Sequence, residues 1–208
     1  MNFQINDAGV IILAAGLSKR MDSPKPLLKF DNEKRFIDKI VYEYKEFGCK
    51  EIIIVINEII RNEINLTDFI KEDESHLKDK IKIVINKNPE FGRFSSIKAG
   101  LKILNPKIIN CFLQNIDNPF VNKDILSEIY ESRFVGDCII PTYENKGGHP
   151  ILISKNIINN LIALEIDDLP LDNYLKSFKS KRIEIKDENI LLNINTPEQY
   201  EKIFKNRI

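Results

Sequence analysis

No excess of basic charge marks this chain. Lys and Arg together number 31 and Asp and Glu number 31 over 208 residues, so the formal net charge is zero. A general nucleic-acid binder carries a basic surplus, which disfavours that class and makes any anion site a local feature. Cysteine is scarce: Cys49, Cys111 and Cys138 are scattered, odd in number and without C-x-x-C spacing. That argues against a disulfide framework or a zinc site and for reduced, partly buried thiols. The opening M-N-F-Q-I-N-D has neither a basic n-region nor an apolar core of the secretory kind, so no signal peptide is expected. No apolar stretch approaches the ~18–20 residues of a membrane helix. There is no Pro/Ser-rich linker and no internal repeat. The G-x-x-x-x-G-K-[ST] and G-x-G-x-x-G patterns are both missing, which removes the Walker loop and the dinucleotide fingerprint. What remains is a cytoplasmic enzyme or binding protein, read as one domain over residues 1–208, with small-molecule ligands and no membrane or nucleic-acid partner.

The chain is organised around Val10–Leu28, V-I-I-L-A-A-G-L-S-K-R-M-D-S-P-K-P-L-L. Val10, Ile11, Ile12 and Leu13 suit a buried strand. Gly16 then opens a loop holding Lys19, Arg20 and Lys25. Cations clustered just past the carboxyl end of a buried strand form a candidate anion site, because backbone N–H groups in a tight glycine turn and nearby Lys or Arg suit phosphate oxygens. The small residues Ala14, Ala15 and Gly16 favour close approach of a planar ligand. The plain alternative is a surface loop with solvated cations.

Along the rest of the chain, Phe36, Ile37, Ile40, Val41, Tyr44 and Phe47 have helical spacing within 33–47, and Gly48 is placed to cap that helix. Further strands are predicted at 51–57, 81–86, 108–114 and 138–141. A helix start is predicted after Glu58, followed by an exposed loop through K-E-D-E-S-H, in which His76 is solvated. Ser95 and Ser96 are N-cap or first-turn candidates for a helix to about Leu104. Helices are also predicted at 122–133, 155–164 and 171–178. Y-E-N-K-G-G-H-P-I-L-I-S predicts a Gly-Gly turn between two strands. Short strands are predicted at 182–185 and 190–194, and Thr196-Pro197 starts a last helix. Strands alternating with helices predict a three-layer α/β/α fold with a mixed, mostly parallel sheet, and ligands in such sheets gather beyond the carboxyl ends of the strands. Three loops lie there: 15–29, 87–96 and 115–121.

Five segments in order resemble the nucleotidyltransferase group of the molybdenum cofactor cytidylyltransferases and guanylyltransferases, with a Rossmann-like, GT-A-like fold. They are L-A-A-G-x-S-x-R-M-x-x-x-K, N-P-E-F-G-R-F-S-S-I-K-A-G-L, N-I-D-N-P-F-V, G-G-H-P-I-L-I and N-I-N-T-P-E-Q-Y. Relatives of that group include sugar-phosphate and methylerythritol-phosphate cytidylyltransferases. The resemblance implies transfer of a nucleoside monophosphate from an NTP to a phosphorylated acceptor, with pyrophosphate released. It implies that Leu13, Ala14, Ala15, Gly16, Ser18, Ser95, Ser96 and Gly100 help to bind the nucleotide. Lys19 and Arg20 then take the β and γ phosphates, and Lys25 the α-phosphate. Asp117 holds Mg²⁺, with Mn²⁺ as the alternative, and Asn193 and Asn195 stand where the family often has carboxylates. Those amides equally suit capping of the final helix. Arg93 and His149 fall on the acceptor side. Ala-Ala-Gly in the loop accompanies CTP, so the implied activity is that of a molybdenum cofactor cytidylyltransferase, with a molybdoenzyme or its chaperone as partner. The run I-D-D-L-P-L-D-N-Y-L departs from the Gly-Asp-x-Gly-Ala-Arg of that branch, which keeps a sugar- or polyol-phosphate acceptor open. The two amides keep open a non-catalytic nucleotide-binding regulator of the same fold.

Overall fold

Unbroken aliphatic runs make the centre of the sheet. Strand β1 (Ala8–Leu13) and strand β2 (Glu51–Ile56) are buried at every position, as strands covered on both faces must be. The structure is a computed structural model that describes residues 7–65, 68–69, 80–166 and 169–204. His76 and the K-E-D-E-S-H loop lie outside the described residues. Strand β3 (Ile81–Ile85) pairs parallel with β2, and β4 (Asn110–Asn115) pairs parallel with β1. Strand β7 (Ile151–Ser154) then enters antiparallel between β4 and β5 (Cys138–Tyr143). The two-residue β6 (Lys146–Gly147) and β8 (Ser180–Glu184) both pair with β5, the latter in parallel. The order is β3-β2-β1-β4-β7-β5-β6, with β8 also on β5.

Successive side chains of β1 point to opposite faces. Val10 and Ile12 join one core with Phe36, Tyr44, Phe112, Ile125 and Phe204. This core lies under helices α1 (Phe36–Phe47), α3 (Lys123–Glu131) and α6 (Pro197–Phe204). Ile11 and Leu13 join the other with Phe94, Ile97, Ile153, Ile158 and Leu175. That one lies under α2 (Gly92–Leu101), α4 (Lys155–Ala163) and α5 (Leu171–Leu175). The result is the three-layer α/β/α arrangement with a mixed, mostly parallel sheet. Gly48 caps α1 in the left-handed region, φ 92°. The Thr196 hydroxyl accepts from Gln199 N–H at 3.3 Å and opens α6. All three cysteines are free and buried, and burial pushes the Cys138 thiol up to about 12, well away from thiolate chemistry.

Three expectations are corrected. Helix α2 starts at Gly92, so neither Ser95 nor Ser96 is its N-cap, and of the two only Ser95 reaches its first turn. The Ser95 hydroxyl bonds back to Gly92 O and Asn88 O instead. The turn before β6 is made by Glu144 and Asn145, with φ 49° and 64°, not by the two glycines. Gly148 serves close approach: a Cβ there would lie 2.6 Å from Ile190 O. Residues 190–194 form no strand. A 3-10 turn over Glu188–Leu191 replaces it, because the buried Asn118 amide takes the carbonyls of Asn189 and Leu192 that a ladder would need.

Candidate active site

Residues Leu13 and Asn115 sit side by side in the parallel register of β1 and β4, so both strands deliver their following loops to one edge. The loop after β1 is folded by Ser18, whose φ is 48°. Its carbonyl accepts from Met21 N–H at 2.8 Å, and its hydroxyl accepts from Lys25 N–H at 3.2 Å. Ser18 therefore shapes the turn and fixes where Lys25 leaves it. At the loop's start, the buried Asn57 amide donates to Ala15 O at 3.0 Å.

Lys25 turns inward. Its ammonium donates to Asn195 Oδ1 at 2.8 Å and lies 3.3 Å from Asp117 Oδ2. Side chains from three remote stretches meet there. Asp117 is held by its neighbours: Ile194 N–H donates to Asp117 O at 2.8 Å, and Gln114 Nε2 donates to Asn118 O at 2.9 Å. Tyr44 OH in turn donates to Gln114 Oε1 at 3.0 Å. The rings of Phe30, Phe120 and Phe204 pack pairwise with centroids 5.6 to 5.8 Å apart. They tie together the segments that carry Lys25, Asp117 and Asn195.

These loops and the start of α2 enclose a cavity of about 600 Å³. Of the residues singled out in the sequence, Leu13, Ala15, Gly16 and Ser18 line it. So do Lys19, Arg20 and Lys25 from the same loop, Arg93 and Ser96 from α2, and Asp117 and Asn195. Four cations face two carboxylates, since Glu90 also lines the wall. That balance suits a polyanion. The Ser96 hydroxyl accepts from Asn86 Nδ2 at 3.0 Å, which leaves its own hydrogen for a ligand acceptor.

Five residues fall outside the lining. Ala14 is turned into the core behind β1. Ser95 is occupied by its helix carbonyls. Gly100 lets α2 lie against the sheet: a Cβ there would meet Ile11 Cγ2 at 2.8 Å. Asn193 donates to Leu191 O at 3.3 Å. His149 is not in the lining, and its Nδ1 is buried and unpaired. Burial, and then the Arg93 guanidinium, hold its pKa below the ordinary 6.5, while Asp117 and Asp172 pull the other way. Neither Asn193 nor Asn195 caps α6 with its side chain. Asn57, Asn86, Gln114 and Asn118 escape a sequence reading centred on charged side chains. Their signal is an amide next to each motif. Asp172, which pairs with Arg93 at 2.7 Å, carries no such signal.

The residues present fit a hard divalent cation. Asp117 Oδ1 and Asn193 Oδ1 are buried without a hydrogen-bond partner, and carboxylate and amide oxygens are the donors Mg²⁺ or Mn²⁺ takes beside phosphate. Among the described residues no three His, Cys, Asp or Glu side chains converge as a ready-made cage.

Comparison with known proteins agrees with this geometry. The profile of the MobA-like NTP transferase domain matches residues 10–180. The molybdenum cofactor cytidylyltransferase of Escherichia coli is 29% identical over 204 residues, covering 91% of this chain and 92% of its own. A probable molybdenum cofactor guanylyltransferase of Clostridium perfringens is 24% identical, covering 94% and 96%. Among solved structures, Rv0371c of Mycobacterium tuberculosis superposes with a TM-score of 0.78 at 20% identity, over 96% of this chain and 98% of that one. A structure of Rv0371C in complex with manganese gives 0.72 at 16%, over 96% and 98%. The fold is that of the GT-A-like nucleotidyltransferases.

Proposed function

We propose that this chain, which belongs to the MobA-like NTP transferase domain family, transfers a nucleoside monophosphate from CTP to a phosphorylated acceptor and releases pyrophosphate. The family fixes the coarse class, a nucleotidyltransferase. The finer reading rests on one observation: Lys25 lies against Asp117 inside a cavity whose charged lining is mostly cationic. A phosphate oxygen of the acceptor attacks the α-phosphorus while pyrophosphate leaves on the opposite side. Such a reaction needs positioning and charge neutralisation rather than a covalent enzyme intermediate. Lys19 and Arg20, exposed at the rim, take the β and γ phosphates. Lys25 neutralises charge at the α-phosphate. The nucleophile is already ionised, so no general base is required, and His149 shapes the acceptor side with Arg93.

Asp117, with amide oxygens of Asn193 and Asn195, would hold Mg²⁺, which supplies positive charge to the phosphates when bound. Mn²⁺ suits the same oxygens. Ser96 offers its hydroxyl hydrogen to an acceptor on the base. The methyl of Ala15 narrows the wall, which supports a pyrimidine and hence CTP.

A pterin acceptor is the first reading, in line with the activity named for the E. coli relative. A molybdoenzyme or its chaperone as recipient belongs with it, as does a cytoplasmic location and one catalytic domain over residues 1–208. A sugar or polyol phosphate is favoured by one observation: Arg93 is already engaged by Asp172, on the run that departs from the pterin branch. Pyrophosphate release with CTP, Mg²⁺ and a panel of phosphorylated acceptors tests the reaction. Release with one acceptor identifies it, and nucleotide binding without release from any acceptor overturns the enzyme in favour of a regulator. A thermal-shift comparison of the four NTPs, with and without Mg²⁺, tests the base, since a specific ligand raises stability by mass action.

A further inference from the structure

The contact that the proposed reaction leaves unexplained is the one Lys25 makes before any phosphate is present. Its ammonium stands between Asp117 Oδ2 and Asn195 Oδ1, at 3.3 and 2.8 Å. Those are two of the oxygens through which a hard dication would be held. An amide oxygen is polar but uncharged, so one carboxylate and one ammonium leave this spot electrically neutral. Lys19 and Arg20 add positive charge around it, against the exposed Glu90. Arg93 is paired with Asp172 at 2.7 Å, so the excess around the spot comes from Lys19 and Arg20. Among the described residues no three acidic, His or Cys side chains converge there as a metal cage. A free dication would have to displace an ammonium, gain one carboxylate and face a net positive wall.

We infer that Lys25 is a resident counter-cation, and that the site exchanges it for a divalent metal only when nucleotide phosphates arrive to take over the ammonium. The inference rests on the nucleotidyltransferase reading and adds an order to it. The phosphates draw Lys25 away, and the metal receives Asp117 Oδ2 and Asn195 Oδ1. Asp117 Oδ1 and Asn193 Oδ1, buried and unpaired, are oxygens whose desolvation an arriving positive charge offsets. This gives Asn195 a reason to be an amide. A carboxylate there would make the spot net negative and let metal bind without nucleotide.

The test uses Mn²⁺ alone as probe, on the full chain, with free Mn²⁺ counted by electron paramagnetic resonance. Without nucleotide, Lys25→Met and Asn195→Asp should each bind Mn²⁺ tighter than wild type by on the order of tenfold or more, the effect of changing one charge a few ångströms away. Wild type should bind CTP in excess EDTA, and Lys25→Met should lose that binding by about the same factor. Equal Mn²⁺ affinity in all three proteins overturns the exchange. If Lys25→Met does not fold, Asn195→Asp decides alone. Equal affinities together with pyrophosphate release by wild type sink the exchange and leave the nucleotidyltransferase standing. Failure of every nucleotide to bind overturns both.

Discussion

The ring of Phe120 is stacked on that of Phe204, with centroids 5.7 Å apart and planes 17° from parallel. Phe120 belongs to the loop that presents Asp117, and Phe204 to the helix that follows Asn195. Phe120→Ala removes a buried ring beneath three converging segments. The expected cost is about 3–5 kcal/mol, read as a lower urea midpoint with an unchanged slope. A loss below about 1 kcal/mol would show that the ring is not what joins them.

In the proposed reaction Lys25 and Arg20 neutralise phosphate charge. Lys25→Ala and Arg20→Ala should each lower the rate of pyrophosphate release by on the order of 10²–10³, with little change in thermal midpoint for Arg20, which is exposed. Unchanged turnover in Lys25→Ala would end its assignment to the α-phosphate.

The burial of His149 predicts an acid-sensitive contribution to stability. Its folded pKa lies below the ordinary 6.5, chiefly because it is buried. Between that folded value and 6.5 the unfolded chain binds the proton and the folded chain does not, so stability falls as pH falls through this window. Above 6.5 the contribution is fully present. His149→Gln should therefore show a shallower loss of unfolding free energy between about pH 7 and pH 5 than wild type. Parallel curves for the two proteins would remove His149 as the cause.

Gly148 has no room for a side chain. A Cβ would stand 2.6 Å from Ile190 O and 2.8 Å from Ile190 Cγ1, so Gly148→Ala must push the 188–192 turn outward. We expect a loss of about 1–3 kcal/mol in chemical unfolding and a lower rate, since the Asn118 clamp on the same turn positions Asp117. Gly147→Ala is the control, because its nearest neighbour would be Ile140 Cγ2 at 3.5 Å.

Much of this was legible in the residues. The aliphatic runs at 10–13 and 51–56 can be little else than buried parallel strands, and the loop after the first run announces its cations. Charge and periodicity are local signals, so a reading of them reaches Lys25 and Asp117 one at a time. What it does not reach is their contact, which depends on strand order. The antiparallel entry of β7 between β4 and β5 leaves no mark in any short window. Nor does the use of Asn118 to fasten the turn at 189–192, which turned an expected strand at 190–194 into a clamped loop. Ser95 and Ser96 look alike in sequence. The helix starts three residues before Ser95, and that phase sends one hydroxyl to its own carbonyls and the other to the cavity.

The two groups that meet Lys25 come from far along the chain: Asp117 is 92 positions away and Asn195 is 170. A ribosome must therefore have passed Asn195 before this site can exist. Fragments ending before Asn195 can hold the loop and the carboxylate, yet not the bridge that sets the ammonium between them. The proposed activity would thus require a chain made and folded past Asn195, and two complementary fragments that separate Asp117 from Asn195 should regain it only on reassembly.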